Sequence, residues 1–141
     1  TEAPASRLRG DLELLPQIAE AGLSRAAKDI SQGGIVGTAA MLAECSGVGI
    51  EIDIRAIPAP DGVAPERWLL TFPSFGYLLA VTPADVEAVT DRFAACGIAA
   101  GDIGAITAGS EIAITDGVTR ETIWNVAARP LLQCAPQEAA A

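Results

Sequence analysis

Residues 26–35 have the sequence A-A-K-D-I-S-Q-G-G-I, and this stretch decides the fold prediction. The pattern predicts a strand at residues 25–30 and a helix at residues 34–45, with Gly47 as the stop signal. A strand that passes through two adjacent glycines into a helix is typical of a domain in which helices cover a sheet.

The glycine pair favours an anion site at this turn. Backbone amides at a helix start lack helical partners, and Gly33 and Gly34 have no side chains to obstruct a phosphate or carboxylate. Ser31 adds a hydroxyl donor, Lys28 a positive charge, and Asp29 an acceptor or one ligand to a metal held mainly by another domain. A purely structural role stays open, in which Ser31 caps the helix and the glycines permit a tight turn. The spacing matches neither a Walker loop nor the dinucleotide fingerprint.

The other predicted elements alternate between helices and strands. A first helix is either capped by Asp11 or begins near Pro16. The further elements are a half-exposed strand at 48–57, a loop at 58–65 followed by a helical turn, a buried central strand at 77–81, a helix at 82–96, strands at 102–107 and 111–115 joined as a hairpin, and a last helix at 119–127. We therefore expect an α+β fold, with a ferredoxin-like, mainly antiparallel sheet of four to five strands and helices packed on it.

The length of 141 residues suits one domain. We expect a flexible segment at residues 1–10, the folded domain at residues 11–132 and a disordered tail at residues 133–141. The chain starts at Thr1 rather than at a methionine, so one interpretation is a fragment of a longer protein.

Composition excludes several classes of function. With 18 acidic and 9 basic residues, the net charge of −9 disfavours binding to nucleic acid or anionic lipid. The long uncharged run at residues 68–84 contains two prolines and a glycine, so no membrane segment is expected. The absence of histidine excludes a Ser-His-Asp triad and histidine-bound zinc within this chain.

The cysteines and a few polar or aromatic residues are weaker candidates. Three cysteines without C-x-x-C spacing predict buried, reduced thiols and a cytoplasmic protein. Glu51 and Asp53 share one strand face and are a candidate cation pair, although an exposed polar face explains them better. Trp68 and Trp124 are expected to pack rather than to stack a ligand. The Asp-Gly pair at residues 116–117 predicts a turn.

Residues 28–35 (K-D-I-S-Q-G-G-I) and residues 44–49 (E-C-S-G-V-G) resemble the C-terminal domain of the aminoimidazole ribonucleotide (AIR) synthase-related family. That family includes formylglycinamidine synthase, selenophosphate synthetase, thiamine monophosphate kinase and a hydrogenase-maturation dehydratase, and it carries a D-x-[ST]-x-G-G-like turn at this place. The resemblance continues through F-P-S-F-G at residues 72–76, the helix at residues 82–97 and the Ile-Gly pair at residues 103–104.

The resemblance implies a function shared between two domains. In the family an N-terminal domain binds most of the ATP and Mg²⁺ and dimerises, while the C-terminal domain closes over a common cleft. The reaction class is ATP-dependent phosphoryl transfer that activates an amide or carboxyl oxygen, or another acceptor, of a small molecule. This domain alone is then expected to be inactive and to bind no cofactor.

The resemblance also implies which residues line the cleft, although it assigns no catalytic residue. The candidate substrate- and phosphate-binding residues are Lys28, Asp29, Ser31, Gly33 and Gly34, with Ser74 and Gly76 near a second edge. AIR synthase itself tends to have His, Thr and Asn where this chain has Asp29, Ser31 and Pro73, so a related protein of unassigned substrate is indicated. The alternative is a non-catalytic small-molecule-binding or oligomerisation module.

Overall fold

The computed structural model describes residues 4–72 and 76–134. The elements in chain order are α1 (Ala5–Leu12), α2 (Leu14–Glu20), β1 (Ser24–Asp29), α3 (Gly34–Ser46), β2 (Gly49–Asp53), α4 (Pro65–Leu69), β3 (Tyr77–Val81), α5 (Val86–Ala95), β4 (Gly104–Thr107), β5 (Glu111–Thr115) and β6 (Arg120–Asn125). The described residues form two compact units, one from residues 4–26 and 79–101 and one from residues 27–72, 76–78 and 102–134.

The first unit begins with two short helices where the sequence predicted a flexible segment and one helix. Helix α1 already starts at Ala5, so part of the segment expected to be flexible is helical. Asp11 does not cap a helix, because it lies inside α1 and forms an ion pair with Arg7 at 3.5 Å. Helix α2 starts at Leu14, which places Pro16 in its first turn, where proline is tolerated.

Helix α5 completes the first unit. It starts four residues later than residue 82, because Thr82 instead donates a hydroxyl hydrogen bond to the Asp85 carboxylate at 2.6 Å. Its buried side chains are Val89 and Phe93, which are four residues apart and so lie on one face of the helix. The core of the unit is formed by Leu14, Ile18, Val89 and Phe93.

Strands β1 and β3 form a two-stranded sheet. The bounds predicted for β3 are confirmed, but the prediction that it is a central strand buried on both faces is wrong, since its five residues are all half-buried. A short apolar run shows that a strand is partly covered, but it does not show how many neighbouring strands flank it.

The second unit contains a four-stranded sheet in the order β4-β2-β5-β6. Two of its pairings, β2–β4 and β5–β6, are antiparallel, and β2–β5 is parallel. The predicted α+β class with a mainly antiparallel sheet is confirmed. The predicted hairpin between β4 and β5 is wrong, because β2 lies between them and pairs with both.

The last predicted helix, at residues 119–127, is wrong, since residues 120–125 form strand β6. The Asp116 carboxylate accepts hydrogen bonds from the amides of Val118 at 2.9 Å and Thr119 at 2.7 Å, which closes a tight turn. That turn directs the chain back along β5, where Ile112 faces Trp124. Thr119 therefore ends a turn and does not begin a helix, and the β-branched residues Thr122 and Ile123 favour a strand.

Helix α3 packs on this sheet through its small residues. Ala40 and Ala43 are buried against Ile112, and Ala39 is buried near Ile52. Alanine has a short side chain, so the helix axis can approach the strands closely. Within residues 4–72 and 76–134, no helix is both long and apolar enough to cross a lipid bilayer.

Candidate functional site

The turn between β1 and α3 is closed by its own hydrogen bonds. The backbone amide of Ser31 donates to Oγ1 of Thr38 at 3.1 Å, and the amide of Gly34 donates to the carbonyl of Ser31 at 2.9 Å. Gly37 donates its amide to the carbonyl of Gly33 at 3.1 Å. The predicted side-chain cap from Ser31 is not formed; instead its backbone is bound by Thr38.

The two glycines of the pair have different roles. Both have positive φ, +102° at Gly33 and +65° at Gly34, a region that favours glycine. A Cβ on Gly34 would collide with the backbone of Leu69 and lie 2.8 Å from Cα of Leu70. Gly34 is therefore buried by close packing, whereas Gly33 is exposed to solvent.

Some amides of this turn remain available to a ligand. Across the part of the chain that the structure describes, no acceptor is hydrogen-bonded to the backbone amides of Gln32, Gly33 or Val36. Gln32 and Gly33 are exposed and Val36 is half-buried. The start of α3 therefore presents free N–H groups near solvent, which suits an anion. The amide of Gly34, by contrast, is already satisfied.

Two opposite charges lie at the end of β1. Nζ of Lys28 is 3.3 Å from Oδ1 of Asp29, and the Asp29 side chain is 64% exposed. The pair is nearly neutral as a whole, but both groups can turn towards a ligand because exposed ion pairs are weak. Within residues 4–72 and 76–134, no three His, Cys, Asp or Glu side chains gather in a group that could hold a metal. Asp29 offers a single carboxylate.

The second edge of the predicted cleft, at Ser74 and Gly76, lies only partly within the described residues. The carbonyl of Gly76 accepts a hydrogen bond from the amide of Ile30 at 2.9 Å, which ties the start of β3 to the end of β1. Gly76 thus adjoins the chain segment that carries Asp29 and Ser31. Ser74 and its neighbour Pro73 lie outside the described residues.

The candidate carboxylate pair on β2 is bound by arginines. Oε2 of Glu51 is 2.6 Å from Nε of Arg120, and Oδ2 of Asp53 is 2.6 Å from Arg55. Hydrogen bonds from the Arg55 side chain and amide lower the pKa of Asp53 to about 2. Glu51 and Asp53 are therefore each paired with an arginine, of which Arg120 also binds Glu111, and both acids lie on a half-exposed polar face.

The two tryptophans are packing residues. The indole N–H of Trp68 donates to the carbonyl of Pro58 at 2.9 Å, and its ring packs against the core around Ile35. The indole N–H of Trp124 donates to the carbonyl of Arg129 at 2.7 Å, and the guanidinium of Arg129 lies 4.5 Å from the ring centroid. Both rings are half-buried, and each indole N–H is hydrogen-bonded within the domain.

A buried carboxylate on α3 was missed from the sequence. Glu44 is only 4% exposed, and its carboxylate accepts backbone hydrogen bonds from Leu131 at 2.5 Å, Leu132 at 3.0 Å and Cys134 at 3.1 Å. Burial alone would raise the pKa of Glu44, but these amide hydrogen bonds lower it below its ordinary value. An acidic residue in an otherwise apolar helix was the available signal.

The expectation of buried thiols is wrong for two of the three cysteines. Cys45 and Cys134 are exposed and Cys96 is half-buried, and all three are free. Desolvation of the sulfur, and then the hydrogen bond and charge of the Cys134 thiol, raise the pKa of Cys45.

The family of the chain follows from its comparison with known proteins. Residues 5–117 match the model of the AIR synthase related protein, C-terminal domain. This chain belongs to the AIR synthase-related family, as its C-terminal domain. It is 40% identical over 131 residues to the uncharacterised protein sll0787 of Synechocystis sp., and 34% identical over 118 residues to the uncharacterised protein MJ0640 of Methanocaldococcus jannaschii.

The chain spans only part of these relatives. It aligns over 93% of its own length with 41% of sll0787, and over 84% of its own length with 36% of MJ0640. It also matches 16% of the phosphoribosylformylglycinamidine synthase subunit PurL of Methanopyrus kandleri, at 30% identity over 84% of this chain. The similar region is thus a minor part of each longer protein.

Solved structures of the family share the fold. PurL of T. maritima complexed with ADP superposes with a TM-score of 0.73 at 15% identity, over 93% of this chain and 22% of that one. E. coli HypE, a hydrogenase maturation protein, superposes with a TM-score of 0.66 at 22% identity, over 87% of this chain and 42% of that one. The same arrangement of helices and strands therefore occurs in PurL and in HypE.

Proposed function

We propose that this chain is the closing domain of an ATP-dependent synthase or phosphotransferase, and that it covers a cleft shared with an N-terminal ATP-binding domain. The observation that carries the proposal is the set of free amides at Gln32, Gly33 and Val36, at the solvent-exposed start of α3. Free N–H groups at a helix start stabilise a phosphate or a carboxylate. Family membership and the solved PurL complexes with ATP and ADP support the choice of reaction class.

Each residue of the turn would have a separate role in binding. The amides of Gln32 and Gly33 would hold an anionic group of the substrate or of the nucleotide, with Lys28 as a nearby positive charge. Asp29 would contribute one oxygen ligand to a Mg²⁺ ion held mainly by the N-terminal domain, because an exposed carboxylate is a hard ligand that suits this ion. Bound ATP and Mg²⁺ would supply the phosphoryl group and neutralise its charge. Gly34 acts indirectly, since its close packing fixes the turn.

The remaining parts of the proposal concern the whole protein. We infer that it is a cytoplasmic homodimer that acts on a small molecule, with Ser74 and Gly76 near the second edge of the cleft. The acidic composition is consistent with a partner other than nucleic acid. The different residues at Asp29, Ser31 and Pro73 favour a substrate other than that of AIR synthase.

The proposal is tested on the full-length protein by ATPase assays against a panel of amide and carboxylate substrates. Gly33→Val is expected to lower kcat/KM by about tenfold or more, since a branched side chain obstructs the amides. Gly62→Val is the matched control, because Gly62 also has a positive φ, +77°, but lies in an open loop away from the turn. Equal kinetics of the two variants would contradict the proposed role of the turn.

A second pair of variants avoids backbone strain. Asp29→Asn is isosteric and is expected to raise the Mg²⁺ concentration needed for half-maximal activity, whereas Asp61→Asn in the exposed loop is expected to leave it unchanged. Calorimetry with the chain alone provides a separate test. Tight ATP binding by this domain without its neighbour would contradict the proposed division between two domains.

A further inference from the structure

Helix α1 is not held by the core of its own unit. None of its residues, Ala5–Leu12, is buried, and its two leucines are exposed, Leu8 by 40% and Leu12 by 54%. Among the residues that the structure describes, neither leucine packs against a buried cluster, whereas Leu15 on α2 packs against the cluster around Ile18. Because residues four apart lie on one face of a helix, Leu8 and Leu12 form one apolar stripe, which we call the α1 stripe.

The contacts that α1 makes within the chain stabilise it only weakly. A helix of eight residues is too short to be stable by itself in water. Gly10 lies in its interior and disfavours the helix, and no side chain caps its N terminus. The exposed ion pair between Arg7 and Asp11 adds little. A further surface that covers the α1 stripe would supply the missing stabilisation.

The relatives of the chain indicate what that surface is. Helix α1 lies within residues 5–117, which match the family domain, so it is part of that domain and not an unrelated extension. The matched region is 41% of sll0787 and 36% of MJ0640, so more than half of each relative lies outside it. That remainder is long enough to form a neighbouring domain.

A second copy of this chain fits the α1 stripe less well than a neighbouring domain does. Helix α1 is only about 12 Å long, whereas a stable dimer buries roughly 1,200–2,000 Å² of surface. Two partly exposed leucines on each copy supply a small part of that area. A domain in the same polypeptide needs a much smaller contact, because the covalent link gives a high effective concentration.

We propose that α1 is a docking helix that places Leu8 and Leu12 in an apolar groove of the N-terminal domain. This inference rests on the proposed function, since that domain is the one with which the chain shares its cleft. Arg9 has no acidic partner among the described residues, so the groove is expected to have a carboxylate at its rim that meets Arg9. Helix α1 and the turn at Gly33 belong to different units, and docking therefore uses none of the residues proposed to bind a ligand.

The test measures deuterium exchange at the backbone amides of α1 in the full-length protein. The informative variant is Leu8→Gln combined with Leu12→Gln, because glutamine and leucine have similar helix propensities but glutamine disfavours an apolar groove. Wild type is expected to protect these amides, and the double variant is expected to exchange them roughly tenfold faster. Val118→Gln is the matched control, since Val118 is 94% exposed in a turn, and it is expected to exchange like wild type.

A second comparison uses the chain of 141 residues by itself, in which α1 has no groove to enter. The α1 amides are expected to exchange fast in wild type and in the double variant, and analytical ultracentrifugation is expected to find monomers of both. Equal exchange of α1 in the wild-type full-length protein and in the chain alone would overturn the proposal. A dimer of the chain that the double variant abolishes would also overturn it, in favour of a second copy.

The docking helix and the proposed reaction fail in different experiments. Protected α1 amides in a full-length protein that hydrolyses no ATP with any substrate would support the docking helix and contradict the reaction. Normal ATPase kinetics together with unprotected α1 amides would contradict the docking helix alone.

Discussion

The backbone amide of Ser31 is hydrogen-bonded to the side-chain hydroxyl of Thr38, seven residues further along the chain. Thr38 is fully buried on α3, so this bond anchors the turn from within the domain. It also determines which amides stay available, because the amide of Ser31 is used and those of Gln32 and Gly33 are not. The conformation of the candidate site therefore depends on a residue that no ligand would touch.

Replacing Thr38 is expected to destabilise the protein. Thr38→Val keeps the shape but leaves the half-buried amide of Ser31 without its partner, at a cost of about 1–3 kcal/mol in the free energy of unfolding. Thr38→Ser retains the hydroxyl and loses only a methyl group, so it is expected to cost less. Urea denaturation of the three proteins measures the difference. A larger loss for Thr38→Ser than for Thr38→Val would show that the methyl packing, and not the hydrogen bond, is the larger contribution.

Alanine substitutions at Gly34 and Gly37 are expected to change the stability of the protein in opposite directions. Gly34→Ala combines a positive φ with a collision against the backbone of Leu69, and we expect a loss of about 2–4 kcal/mol. Gly37→Ala places a methyl in ordinary contact, 3.9 Å from the carbonyl oxygen of Gln32, within a helix. It is expected to stabilise by up to about 1 kcal/mol. Thermal unfolding distinguishes the two, and a stable Gly34→Ala variant would show that the close approach is absent.

Glu44→Gln is expected to loosen residues 131–134, which we call the C-terminal segment. The neutral amide has one oxygen in place of two and loses the charge that strengthens the bonds to Leu132 and Cys134. We expect deuterium exchange at these amides to become roughly tenfold faster, through local opening of the segment. Glu87→Gln on the exposed face of α5 is the control. Unchanged exchange in Glu44→Gln would mean that packing alone holds the segment.

The acid sensitivity of the protein is expected to depend in part on Asp53. Its pKa in the folded protein is lowered to about 2 by hydrogen bonds from Arg55, below the ordinary value of 3.8. The stabilisation is therefore fully present above about pH 4 and is lost as the pH falls towards 2. Asp53→Asn is expected to flatten the dependence of stability on pH in that window, and Asp61→Asn is not. An NMR titration of the Asp53 carboxyl checks the pKa itself.

The sequence predicted correctly those elements whose bounds depend only on neighbouring residues. The bounds of α3 were nearly correct because apolar residues continue from Gly34 to a glycine stop at Gly47, whose φ is +65°. The strand at residues 77–81 was correct for a similar reason. The resemblance to the AIR synthase-related family rested on short motifs and was confirmed by the match over residues 5–117.

The features that the sequence did not predict depend on contacts between residues far apart in the chain. Nothing local shows that β2 separates β4 from β5, because that pairing joins Ile52 to Gly104 and Ile50 to Ile112. The anion turn stays a prediction for this segment, and the sequence did not show that the amide of Gly34 is already bonded or that Gly33 is exposed. Glu44 was missed because its partners are backbone amides almost ninety residues away.

The position of β2 has a consequence for how the protein is made. This strand leaves the ribosome before β4 and β5, and both of its edges wait for these partners, which are translated some fifty residues or more afterwards. Until then its unpaired backbone is exposed to other nascent chains, and the high contact order slows the closing of the sheet. Truncations that remove β5 are therefore expected to aggregate rather than to leave a smaller folded domain.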